Sequence, residues 1–189
     1  MTEPTAPTTG PITDPGPATP DDSDWTWVLS RACPDCGFDA EAMRPEDVPA
    51  RLREAAARYA AVLVRDDVFA RPAPGVWSPL EYTCHVQDVC DVMRGRIEQI
   101  LAGGGAVVQF ANWDQDETAN EKQYWRADPE AVKRELAVAF ESAATAYERP
   151  NGGQWQWPAL RGNGSEFTAA TLALYFLHDV QHHLWDVNA

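Results

Sequence analysis

Ser78-Pro79-Leu80-Glu81 opens the segment that most narrows what this chain can fold into. A serine at the N-cap accepts a hydrogen bond from the amide three residues on, and a glutamate at that third position reaches back to the cap's own N–H. Pro79 occupies the first helical position, where the missing N–H costs nothing. Trp77 and Tyr82 are placed to staple the helix start from either side. The helical pattern then runs to about Leu101 and stops at Gly103-Gly104-Gly105.

Three further stretches carry the same period. From about Pro45 to Arg65, Leu52, Ala55, Ala56, Tyr59, Val62 and Leu63 recur at helical spacing. Asp128-Pro129 opens another helix that runs to about Glu148 and breaks at Pro150-Asn151-Gly152-Gly153. The last starts near Thr168 and reaches about Val187. Residues 106–127 form a long connection in which Asp116 to Trp125 predict a short helix. Gln154 to Glu166 read as a loop with some strand-like character. No alternating strands predict a sheet, and no internal repeat is present. The expected architecture is all-α: a four-helix bundle with a long crossover between its second and third helices.

The N-terminal region is of another kind. Residues 1–24 are rich in Pro, Thr, Gly and Asp and predict a flexible tail. Trp25-Thr26-Trp27-Val28-Leu29 begins packable sequence, so residues 25–43 are expected to lie across the bundle formed by 44–189.

The chain has 189 residues, enough for one domain with a real core, and a formal net charge of −14. Such acidity disfavours nucleic acid and anionic membrane as partners. No apolar run approaches the roughly 20 residues of a membrane span, and the N-terminus lacks a secretory pattern, so a cytoplasmic protein with reduced thiols is the expectation. Cys33-Pro34-Asp35-Cys36 is a lone CxxC, readable as half a zinc site, a redox pair or a coincidence of a loop. A structural zinc site usually needs a second pair, and Cys84 and Cys90 are not spaced as one. Both read as small core residues. There is no nucleophile elbow, phosphate loop or dinucleotide fingerprint.

The remaining chemistry is in histidine. Three of the four histidines fall in His178-Asp179-Val180-Gln181-His182-His183, and the fourth is His85. His178 and His182, four apart, share a helix face with Leu174 and Trp185, and this stripe is expected to face the bundle interior. With His85 from the second helix they make a three-nitrogen site with open positions for water or substrate. His183, about 140° from His178 at ~100° per residue, is expected to point elsewhere. Asp88 and Asp186, each about one turn from an expected ligand, are candidates to orient it. Asp114 and Asp116, in the crossover, are candidates to position water or substrate.

The ordered set Trp77-Ser78-Pro79-Leu80-Glu81-Tyr82, His85-Val86-Gln87-Asp88, Phe110-Ala111-Asn112-Trp113-Asp114-Gln115-Asp116, Phe167-Thr168 and His178-Asp179 with His182-His183 resembles the DinB/YfiT superfamily of four-helix bundles over roughly residues 44–189. Trp25 to Ala42 resembles an N-terminal extension of some members. The resemblance implies a divalent ion, zinc or nickel, on His85, His178 and His182. It also implies small-molecule chemistry, either S-transfer with a low-molecular-weight thiol such as mycothiol or bacillithiol, or metal-dependent hydrolysis. A non-catalytic metal-binding stress-response module is the alternative from another class, so whether the protein is an enzyme stays open at this stage. The apolar bundle surface permits a homodimer.

Overall fold

A computed structural model of the protein describes residues 13–21 and 23–189. The expected tail thus falls partly outside the described residues, at 1–12 and 22. Among the described residues five α-helices carry the fold: α1 (Val48–Val62), α2 (Pro79–Ala102), α3 (Gln115–Lys122), α4 (Pro129–Tyr147) and α5 (Ala169–Asp186). Three short strands, β1 (Val108–Phe110), β2 (Pro158–Arg161) and β3 (Glu166–Thr168), lie between them.

The helix starts obey their local chemistry. At α2 the Ser78 hydroxyl accepts from the Glu81 amide at 3.3 Å, and Glu81 accepts from the Ser78 amide at 2.8 Å. The staple forms as well, with the Trp77 and Tyr82 rings edge to face at 5.5 Å. Glu81 is nearly fully buried and is held from its other side by Arg71, which donates from Nε at 2.9 Å and through a second contact from Nη2. At α4, Asp128 accepts from the Glu130 amide. At α5, Thr168 and Thr171 cap each other reciprocally. The first predicted helix begins as a 3-10 turn, Pro45–Asp47, and its α-helical part ends at Val62, earlier than the apolar spacing suggests.

α1, α2, α4 and α5 form the bundle. α2 packs on α4 and α5, and α1 packs on the same two, so the consecutive helices α1 and α2 occupy opposite corners. Tyr59, Phe140, Tyr147 and Phe176 are fully buried in the core. Two phenols cross it: Tyr59 donates to the Val180 carbonyl at 2.8 Å, and Tyr147 to the Met93 carbonyl at 3.1 Å. These bonds satisfy buried hydroxyls while tying α1 to α5 and α4 to α2.

The small sheet is a departure from the sequence reading. β1 pairs in parallel with β2, and β2 antiparallel with β3. Strands of three or four residues are too short for alternation to register in sequence. The sheet stitches the α2–α4 crossover to the α4–α5 connection and so brings Asn112 and Trp113 beside Arg161. In the crossover, α3 and a 3-10 turn at Tyr124–Arg126 replace the single short helix expected, with Gln123 between them left-handed at φ 53°. Asp88 binds this segment to α2: it accepts from Lys122 Nζ at 2.6 Å and from the Tyr124 hydroxyl.

The N-terminal segment lies on α5. Its 3-10 turn Trp25–Leu29 packs there, and Val28 and Phe38 are buried. Further upstream, the Thr19 amide donates to the Gly75 carbonyl at 2.8 Å, which brings the chain across the end of α2.

Candidate metal centre

Helix phase decides which side chains of α5 meet which neighbours. Its core stripe is Ala173, Phe176, Leu177, Val180 and Leu184, all essentially buried. His178 and His182 each lie two residues from Val180, about 160° around the helix, and therefore face away from the core. Asp179 and His183 lie about 100° and 60° from Val180 on one flank, the flank that faces α2. The expected interior stripe of Leu174, His178, His182 and Trp185 is thus corrected: Trp185 is 50% exposed, and the two histidines are buried by the N-terminal segment rather than by the bundle.

The consequence is two clusters where one was expected. His85 Nε2, from α2, is 3.7 Å from Asp179 Oδ1, and His183 Nε2 is 3.8 Å from the same oxygen. His85, Asp179 and His183 each bring a ligand atom within 4.8 Å of the others. His178 and His182 converge separately with Cys33 and Cys36. Among the described residues, His85, His178 and His182 do not gather on one point. His183, expected as a bystander, takes the place beside His85.

The first cluster has the features of an ion site. His85 is fully buried, and neither of its ring nitrogens has a hydrogen-bond partner; Asp179 Oδ1 has none either. Burying such groups unsatisfied costs on the order of a few kcal/mol, which a shared cation removes. Separations of 3.7 and 3.8 Å are too long for hydrogen bonds. They lie within half an ångström of the ~3.3 Å between tetrahedral ligands at bonds of about 2.0–2.1 Å. His183 Nδ1 sits 2.7 Å from Asp186 Oδ2. That contact places the ring proton on Nδ1 and leaves the Nε2 lone pair facing Asp179 and His85. Asp186 therefore does the orienting expected of it, but for His183 and not for His182. Asp88 faces Lys122 and Tyr124, where it anchors the crossover, and does not orient His85.

His85 and Asp179 suit a cation, whereas His183 holds its proton more tightly than usual and must release it to ligate. Burial lowers the His85 pKa, which favours the neutral imidazole with one ring lone pair available. Burial also pulls His183 down, but its bond to Asp186 and the charge of Asp179 carry it above the usual histidine value. Burial pushes the Asp179 carboxyl up, and the facing imidazoles of His85 and His183 more than reverse this, so it is held as carboxylate.

Asp179 and His183 border a cavity of about 550 Å³. Its walls come from the N-terminal segment (Trp25), the approach to α2 (Trp77), α2 itself (Tyr82), the crossover (Trp113), β2 (Arg161) and α5 (Tyr175). Trp113 stacks over His85 with ring centroids 5.5 Å apart and is fixed by its Nε1–H donating to Thr118 Oγ1 at 2.8 Å. Asp114 and Asp116 both line the cavity, as the crossover position implied. Asp114 is engaged as the cap of α3, accepting from the Glu117 amide at 2.8 Å. Cys84 and Cys90 are buried, with thiol pKa values driven up by desolvation, and act as packing residues.

The DinB superfamily profile matches residues 46–187. The chain belongs to the DinB superfamily. A solved structure described as "YfiT from Bacillus subtilis is a probable metal-dependent hydrolase with an unusual four-helix bundle topology" superposes with a TM-score of 0.57 at 18% identity, over 92% of this chain and 93% of that one. At that identity the likeness is one of fold. No curated protein matches the chain in sequence. The DinB bundle here is the diagonal arrangement of α1 and α2 described above, with His85 on α2 and Asp179 and His183 on α5. Among the described residues of this DinB chain, no helix is long and apolar enough to cross a membrane.

Proposed function

We propose that the protein is a divalent-metal-dependent enzyme of the DinB type, with the ion on His85 Nε2, Asp179 Oδ1 and His183 Nε2. The observation that carries this reading is the convergence of three donor atoms, two of them buried without hydrogen bonds, of which those of Asp179 and His183 border a cavity. Two imidazoles and a carboxylate, with further positions left open, form a catalytic rather than a closed donor set. Such a set suits zinc, nickel and ferrous iron alike. The ion would supply Lewis acidity, lowering the pKa of a water or thiol beside it.

The chain's own residues do the rest. Asp186 holds His183 in the productive tautomer. Trp113 and Trp77 cover His85 and keep bulk water from the inner side of the site. Arg161, held by Asn163 and Tyr175, presents a cation at the cavity wall for a polar or anionic part of a substrate. Within this frame the favoured reaction is transfer of a low-molecular-weight thiol to a small electrophile, in line with the family resemblance. A cavity of about 550 Å³ with polar walls suits such a pair of small reactants. Hydrolysis of a small molecule is the second reading, favoured by Asp116 at the cavity wall, where a carboxylate would serve a water.

A metal-loaded screen of several low-molecular-weight thiols against reactive electrophiles tests the reading. Thiol-dependent turnover that disappears in His183→Ala supports the transferase. Turnover without any thiol, equally lost in that variant, supports the hydrolase. Metal content unchanged by His85→Ala and His183→Ala overturns the site.

A further inference from the structure

The second cluster joins the N-terminal segment to the outer face of α5. Cys33, Cys36, His178 and His182 each offer a ligand atom, and all four atoms lie within 4.8 Å of one another. We propose that these residues bind one zinc ion in a closed, structural Cys2His2 site that clamps the N-terminal segment to α5. This inference is independent of the ion proposed at His85, Asp179 and His183.

Geometry is the first support. Cys33 Sγ is 3.6 Å from His182 Nδ1. Tetrahedral zinc with bonds of about 2.3 Å to sulfur and about 2.0 Å to nitrogen separates those atoms by about 3.5 Å. The pairs have the spacing of structural zinc ligands, C-x2-C and H-x3-H, with the rest of the bundle between them. The cysteine pair is folded for the purpose: Gly37 N–H donates to the Cys33 carbonyl at 3.0 Å, and Cys33 N–H to the Phe38 carbonyl at 2.8 Å. Gly37 takes φ +73°, a conformation that side chains rarely adopt, and the resulting tight turn lets both sulfurs face α5.

Burial without partners is the second support. His178 is 3% exposed, and its Nε2 has no hydrogen-bond partner. Its helix phase would leave it in solvent, yet Trp25 and Phe38 pack on its ring at 5.6 and 5.4 Å. Trp25 also covers His182 at 4.9 Å. His182 Nδ1 has Cys33 Sγ as its partner, whereas His178 Nε2, roofed over by aromatics on the outside of the helix, has none and needs something to satisfy it. Zinc does so at no net charge, because two thiolates balance the ion and both imidazoles are neutral. Four protein donors fill a tetrahedral shell, so the site holds structure and leaves no position for substrate.

The redox reading of the CxxC fits less well. Reactive cysteine pairs use a helix N-terminus to hold a thiolate. Here the sulfurs sit in a turn, followed only by the 3-10 turn Ala40–Ala42.

The test is made on the full chain. Cobalt-substituted wild-type protein is expected to show a thiolate-to-cobalt charge-transfer band and intense tetrahedral visible bands. The charge-transfer band should vanish in Cys36→Ser and persist in His183→Ala. Zinc content should fall by one equivalent in Cys36→Ser, whatever the cavity site binds. If Cys36→Ser does not fold, zinc-edge X-ray absorption of the wild type decides, with sulfur at about 2.3 Å expected. Zinc coordinated by nitrogen and oxygen alone, or a Cys33–Cys36 disulfide in freshly purified reduced protein with no zinc bound to sulfur, overturns the proposal.

Discussion

At the scale of single residues, the chemistry of the cavity site hangs on one proton. Asp186 accepts a hydrogen bond from the Nδ1–H of His183 and so leaves Nε2 as the ring's lone-pair nitrogen. Replacing Asp186 with Asn leaves the shape but weakens that control, and the expected loss is about 10–100-fold in metal affinity, read by chelator competition. Asp179→Asn removes a charge from the ligand set itself and should abolish binding at that site while the protein stays folded. Sequence made the two ingredients visible, a histidine on the second helix and a cluster on the last, but assigned the wrong neighbours of the pair. Choosing between 178/182 and 179/183 requires the direction of the core, and a one-residue shift turns that by ~100°. Large apolar residues at Leu174 and Trp185 suggested a buried face; half of Trp185 is in solvent. The stronger signal was Val180 with Phe176 and Leu184, a four-residue repeat without a polar member. Cys33 and Cys36 were readable as half a zinc site, a redox pair or a loop coincidence, and the two histidines that the fold brings beside them belong to a distant helix, a pairing no local spacing shows.

At the scale of elements, helices were read from sequence because their ends are marked by chemistry that acts over three residues. Ser78 with Glu81, Asp128 with Pro129, and Thr168 all cap as their types dictate. The sheet was not, since β1 meets β2 across some fifty positions and strands this short form no repeat; only the strand-like character of residues 154–166, where β2 lies, was legible. Loss of the Ser78 hydroxyl in Ser78→Ala should cost about 0.5–2 kcal/mol in urea unfolding, because the buried Glu81 amide loses its acceptor. The N-terminal segment has its own test. Removing zinc with a chelator is expected to raise hydrogen exchange across residues 25–43 while the helix α2–α4 contact stays protected. Uniform protection with and without chelator would show that aromatic packing alone holds the segment.

For the whole molecule, stability rests on the four-helix core. Phe176, fully buried on α5 against Tyr147, is the side chain whose truncation should be most damaging, with about 3–5 kcal/mol lost on replacement by Ala. Solubility rests instead on charge. With a net charge of −14 at neutral pH and a pI near 4.5, acidification removes the mutual repulsion of molecules, so light scattering should peak near pH 4.5 and fall again above it. Between core and surface stands α5, which carries the proposed ligand pairs at 178/182 and 179/183, one residue out of step. A rigid helix cannot roll toward one set of partners without turning the other pair by the same angle. Whatever occupies one pair therefore limits the roll that the other must resist. By linkage the two affinities are raised by a common factor, whichever ion arrives first. Zinc supply at the cysteines would thus set how readily the cavity is charged with its own metal.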